Sequence, residues 1–236
     1  MKSQSKLNSE QLVFNLGEKK MMGRDQLFRS QSNELALSII ENYPKWPKNR
    51  LVLVGPKGCG KTHISSIFSN ELDGVMCSAV DFKLQKIQNL NNNVTVILED
   101  LDQLENLDDE AARIVEEEIF HLLVKFENNN FRILVTGCNS PSLWRINLPD
   151  LSSRLKTFPI ARIDNPDDKL FLNLILKFFS EKQLNASSSV INFIAPRIER
   201  TYLSARNFVE EVDAKALKDK RELTLALVKS VLGESD

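Results

Sequence analysis

The feature that most constrains this chain is the octapeptide GPKGCGKT, Gly55 to Thr62, set directly behind the apolar run LVLV at Leu51 to Val54. Glycines at 55, 58 and 60 let the backbone curl so that successive N–H groups point inward at phosphate oxygens, an approach larger residues would block. Lys61 can then reach the β- and γ-phosphates and the Thr62 hydroxyl can ligate Mg²⁺. The helix-compatible segment His63 to Leu72 turns its positive N-terminal end toward the anion. The remaining loop residues Pro56, Lys57 and Cys59, with His63, are expected to share this nucleotide site, which would take ATP or ADP. A chance Gly-rich turn would not carry both the full motif and its strand-to-helix context.

Length and charge bound what surrounds the loop. With 236 residues and 42% hydrophobic content, the chain can bury the core of one compact domain, or of a domain with a small appendage. A formal net charge of −1, from 31 basic and 32 acidic residues, argues against a main task of coating nucleic acid. No apolar stretch approaches the roughly 20 residues that span a bilayer, and MKSQSKLNSE holds no signal-peptide core, so a cytoplasmic protein is expected. Cys59, Cys77 and Cys138 lack C-x-x-C spacing and read as buried thiols. His63 and His121 are too few to build a metal cluster with the usual spacings.

Strand and helix signals alternate up to about residue 163 and are helical beyond it. Short β-rich runs at Leu51–Val54, Val75–Val80, Val94–Leu98, Phe131–Thr136 and Phe158–Ile163 predict an α/β parallel sheet. Between them, Asp108 to Phe126 reads as a helix with Ala111, Val115, Ile119, Leu122, Leu123 and Phe126 inward, and with glutamates 116–118 as a solvated face. After Asn165-Pro166, amphipathic stretches 167–182, 188–198, 202–217 and 224–232 predict a helical bundle. The division is therefore a tail at 1–20, an α/β unit at 21–164 and a helical unit at 165–236. Asn-rich patches at 89–93 and 128–130 read as loops.

A second motif, VTVILEDLDQL at 94–104, ends an apolar strand in Glu99 and Asp100. One carboxylate there can hold Mg²⁺ through water while its neighbour orients an attacking water. The plainer alternative is a solvated turn, with Asp102 a helix-start or surface residue. Arg154, in LPDLSSRL, follows a polar turn just before the last strand; it cannot easily reach its own loop but can project from an edge toward a neighbour. Arg200, in RIERTY, precedes a helix of the bundle. Taken alone, each reads as a surface arginine.

Together these segments resemble the AAA+ superfamily, and within it the initiator-like DnaA/Hda family. The marks are GPKGCGKTH at 55–63, VILEDLD at 96–102, LVTGCNSP at 134–141, PDLSSRL at 149–155, RIERTYLSARNFVEEVD at 197–213 and KRELTLALVKSVL at 220–232. The resemblance implies an AAA+ P-loop domain, a central parallel sheet flanked by helices, with a small C-terminal helical lid. It assigns sensor 1 to Thr136–Asn139, the arginine finger to Arg154 and sensor 2 to Arg200, with Arg206 as the alternative. By the same likeness, Phe28 and Asn33 in LFRSQSNELAL at 27–37 lie near the adenine. One departure stands out: the initiators usually carry Asp-Asp at the strand end, where this chain has Glu-Asp.

DnaA continues beyond the lid into a helix-turn-helix domain, whereas this chain stops at Asp236, so no specific DNA binding of its own is expected. Near the other end, QLVFNL at 11–16 resembles the motif that docks on the sliding clamp of DNA polymerase III, with Gln11 orienting and Leu12, Phe14 and Leu16 as apolar anchors. The alternative is a structural strand, for which period-2 spacing is equally natural. The resemblance implies an Hda-like negative regulator of replication initiation. It would ride on the clamp, assemble with DnaA or with further copies of itself, and promote hydrolysis of DnaA-bound ATP through Arg154. Lys61, Thr62 and Glu99 would hold its own nucleotide and Mg²⁺. A helicase loader and a non-catalytic, nucleotide-bound adaptor are the competing readings.

Overall fold

The computed structural model describes residues 27–87, 94–127 and 131–233. The QLVFNL segment at 11–16 lies outside them. The apolar runs form five strands, the inner three buried on both faces, as a parallel sheet with helices on either side requires, and the outer two partly exposed. They are β1 (Arg50–Val54), β2 (Val75–Ser78), β3 (Thr95–Glu99), β4 (Arg132–Gly137) and β5 (Ile160–Arg162), all parallel, in the order β2-β3-β4-β1-β5. Register pairs Val54 with Gly137 on one side and with Arg162 on the other, while Leu98 lies opposite Val135. The ends of β1, β3 and β4 therefore meet along one edge, which is where open α/β sheets bind ligands.

Alternation along β1 sorts the core into two layers. Leu51 and Leu53 face a cluster built from α1 (Glu34–Glu41), α2 (Lys61–Glu71) and four C-terminal helices; Val52 and Val54 face one built around α3 (Asp109–Glu127) and α4 (Pro149–Leu155). The C-terminal helices are α5 (Asp168–Glu181), α6 (Ser188–Ile194), α7 (Tyr202–Asp219) and α8 (Leu225–Leu232). Each starts on a polar cap, Asp167, Ser187, Thr201 or Thr224, whose side-chain oxygen accepts an N–H of the first turn. Among the described residues, no helix is long and apolar enough to cross a membrane.

Three local readings are corrected. The segment PDLSSRL is a helix, not a polar turn: Pro149 pre-sets the first turn and Leu151 and Leu155, four apart, are both buried. The glutamates at 116–118 are not one solvated face. Glu116 is fully buried, its Oε1 and Oε2 accepting from the N–H groups of Asn147 (2.9 Å) and Leu148 (2.7 Å), and Glu118 Oε2 accepts from Leu84 N–H (2.8 Å). Backbone donors that lie outside any ladder need an acceptor, and these carboxylates supply it. Only Glu117 is outward, facing Arg113 one turn away. Of the cysteines, Cys59 alone is fully buried; Cys77 and Cys138 are half-buried, and all three are free thiols.

Candidate functional site

The loop after β1 runs over the sheet edge into α2. Gly58 (φ +80°) and Gly60 (φ +92°), the latter at the N-cap of α2, sit in the left-handed region that side chains disfavour. A Cβ on Gly55 would lie 2.8 Å from Cys59 Sγ and 3.0 Å from Ile163 Cβ, so the loop can hug the end of β5 only with glycine there. Lys61 is buried at 7% exposure, and its ammonium donates to the carbonyls of Gly55 (2.9 Å) and Pro56 (3.3 Å). The loop thus holds a full positive charge against neutral dipoles beside a helix N-terminus, an environment that favours an anion. Burial pushes the Cys59 thiol up to about 11, so it behaves as an apolar filler under the loop.

Asp100 closes the floor, and Glu99 lies behind it against Thr62 and Ser65. Burial raises the Glu99 carboxyl above its ordinary range, and adjacent Asp100 adds to the rise, while the hydroxyls of Thr62 and Ser65 draw it part of the way back. Glu99 Oε1 is a buried oxygen without a hydrogen-bond partner. An orphaned carboxylate oxygen near an exposed threonine hydroxyl is a donor set suited to a hydrated Mg²⁺. Asp100 takes a left-handed conformation (φ +54°) and donates its backbone N–H to the Thr136 hydroxyl at 2.9 Å. Asp102 is buried at 8% exposure rather than on the surface, and its Oδ2 accepts from Cys138 N–H at 2.9 Å. It is a strut between the ends of β3 and β4.

The segment after β4 is set by packing. A Cβ on Gly137 would meet Trp144 Cζ2 at 2.6 Å, and the Trp144 indole donates to the Asn139 carbonyl at 2.8 Å. Cys138 faces the cleft; the Asn139 side chain is exposed and does not line it.

Above this floor lies a cleft of about 630 Å³ walled by Lys57, Gly58, Gly60, Lys61, Thr62, His63, Asp100, Gln103, Cys138 and Arg206. A second hollow of about 310 Å³ shares Gly58, Gly60, His63 and Arg206 with it and is otherwise largely apolar, with Phe28, Leu37, Ile64, Leu174, Phe178 and Tyr202 in its wall. A cleft lined by Lys57, Lys61 and Arg206 beside an apolar slot has the two-part character of a nucleotide pocket. Phe28 and Asn33 both border the slot, yet the Asn33 amide is committed to its own loop, accepting from Ser30 N–H (2.9 Å) and donating to the Phe28 carbonyl (2.7 Å).

The three arginines separate. Arg206 borders both hollows, its guanidinium 4.9 Å from the Phe178 ring centroid. Arg200 borders neither and pairs with Asp168 at the start of α5. Arg154 also stands off the cleft, in the last turn of α4, its guanidinium 5.3 Å from the Phe120 ring centroid. Gln103, Tyr202 and Phe178 are wall residues that the sequence does not reveal as such, while Cys138 falls within the Thr136–Asn139 stretch assigned to sensor 1. A usable signal exists for Tyr202, which lies four residues before Arg206 in α7 and so shares its face.

A five-stranded parallel sheet in this order, a glycine loop at the end of β1 and a helical bundle over that loop define the AAA+ nucleotide-binding fold. Solved structures agree: domain III of Thermotoga maritima DnaA matches with a TM-score of 0.69 at 18% identity over 91% of this chain and 97% of that one. A DnaA bound to AMPPCP and single-stranded DNA matches with a TM-score of 0.64 at 19% identity, over 83% and 66%. In sequence, the chain is 30% identical over 185 residues to an uncharacterised protein of Haemophilus influenzae, covering 75% of this chain and 79% of that one. It is 27% identical over 200 residues to DnaA of Campylobacter jejuni, covering 78% of this chain but 44% of the initiator, so it spans less than half of that protein's length. No family model matches the chain. The chain belongs to the DnaA family of AAA+ ATPases.

Proposed function

We propose that this protein is an adenine-nucleotide-dependent regulator of replication initiation of the Hda kind, which docks on the sliding clamp and drives DnaA-bound ATP to ADP. In its own pocket, Lys61 and the loop N–H groups bind the β- and γ-phosphates, Thr62 and Glu99 hold Mg²⁺, and the slot between Phe28, Tyr202 and Phe178 takes the base. Arg206 closes on the phosphates from α7. Mg²⁺, when bound, neutralises charge between the phosphate oxygens. The name and AMPPCP ligand of the matching DnaA structure support an adenine nucleotide here.

The observation that carries the trans reading is the separation of Arg154 from the cleft. It sits on α4, whose Leu151 and Leu155 belong to the core layer on the sheet face opposite the lid. An arginine on this face would act on a neighbouring subunit's γ-phosphate rather than on its own, stabilising charge that develops only in the transition state. QLVFNL supplies the clamp contact. The test is hydrolysis by ATP-loaded DnaA with and without this protein and DNA-loaded clamp. Wild type accelerates it and Arg154→Ala does not, although the variant stays folded and clamp-bound. A folded, clamp-bound Arg154→Ala protein that stimulates as well as wild type refutes the reading.

A further inference from the structure

We infer that Glu116 and Phe120 are positioning residues for Arg154, together fixing α4 on α3 at both of its ends. The inference rests on the trans-acting reading of Arg154 for its functional consequence, but not for its geometry.

Helix α4 has seven residues, a length of about 10 Å. So short an element does not hold itself in place. Its own N-cap is Leu148, which has no polar side chain to bond the first turn, and Pro149 brings no N–H at all. Immediately before the first turn, the N–H groups of Asn147 and of the N-cap residue Leu148 each donate to one carboxylate oxygen of Glu116. A carboxylate removed from water is costly unless its oxygens are bonded, so these two contacts fix where α4 begins.

Four residues along α3, on the same face, Phe120 presents its ring to the Arg154 guanidinium in the last turn of α4. Stacking confines a side chain that otherwise samples many rotamers. The i, i+4 pair Glu116 and Phe120 therefore spans α4, one residue gripping its start and the other receiving the arginine at its end. A purely structural glutamate would stabilise the α3–α4 contact without affecting where Arg154 points.

The experiment has two independent readouts. The Arg154 Nε–H resonance, assigned by its loss in Arg154→Ala, should carry a ring-current shift that Phe120→Leu removes. Glu116→Gln keeps the size of the side chain but turns one acceptor into a donor facing an N–H. It should move the resonance toward its position in Phe120→Leu. In stimulated hydrolysis of DnaA-bound ATP at saturating protein, Glu116→Gln and Phe120→Leu should each lower the rate roughly tenfold or more with the variant's own nucleotide affinity unchanged. Neither should add to the loss in an Arg154→Ala background. An unshifted Arg154 resonance in folded Glu116→Gln overturns the inference, and so does an additive loss. A displaced resonance with undiminished hydrolysis supports the positioning and sinks the trans-acting reading instead. If Glu116→Gln does not fold, Phe120→Leu, which leaves the carboxylate contacts in place, carries both readouts.

Discussion

The Lys61 ammonium donates to the Gly55 carbonyl at 2.9 Å, bridging the first residue of the phosphate loop and the first residue of the helix that follows it. One side chain thus closes the loop on itself and supplies its only buried cation among the described residues. An incoming phosphate offers that ammonium a charged acceptor in place of two neutral ones.

Lys61→Ala is accordingly expected to weaken ATP and ADP binding by about a hundredfold or more. Titration calorimetry decides it. Undiminished affinity would remove the phosphate-binding basis of the functional reading.

Arg206 and Arg200 make opposite claims on the same pocket. Arg206→Ala should lower nucleotide affinity about tenfold, the cost of one lost charge-assisted hydrogen bond, whereas Arg200→Ala should change it by less than about twofold. Fluorescent-nucleotide titrations of the two variants check this. The reverse ranking would return the sensor 2 role to Arg200.

Glu99 should leave a signature in the pH dependence of stability. Its folded pKa lies above the ordinary 4.5, chiefly from burial, so the native state binds the proton more tightly than the unfolded chain does. The ionised group therefore disfavours the fold above the raised pKa, and this penalty fades as pH falls through the window toward 4.5. Without nucleotide or Mg²⁺, Glu99→Gln should melt higher than wild type at neutral pH, with the gap closing as the solution is acidified toward about pH 4. Melting curves across that range test it; a gap that is constant or opens on acidification contradicts the burial argument.

For the tail, Gln11→Ala with Leu12→Ala and Phe14→Ala should eliminate clamp binding and leave the melting temperature unchanged, since anchors for a partner contribute nothing to the core. Surface plasmon resonance on immobilised clamp, paired with thermal melts, separates the outcomes. Loss of several kcal/mol of stability, as when core positions are emptied, would make QLVFNL a structural strand instead.

What the sequence determined by itself is local. Three apolar runs too continuous for one-sided burial specify the inner parallel strands, and GPKGCGKT specifies a loop with left-handed backbone, which glycine takes most readily, at 58 and 60. Both follow from neighbours along the chain. What tertiary structure decided are the pairings between distant segments, which no local pattern encodes. Arg200 and Arg206 stand six residues apart in one stretch, but Asp168 takes the first and the face shared with Tyr202 turns the second into the cleft. Asp102 reads as one acid among three until Cys138 N–H, 36 residues away, claims it. Glu116 looks like part of a solvated run until the start of α4 presents two bare N–H groups. A charged side chain is placed inside or outside by the partners that meet it, and those partners are fixed only when the sheet and its helices have packed.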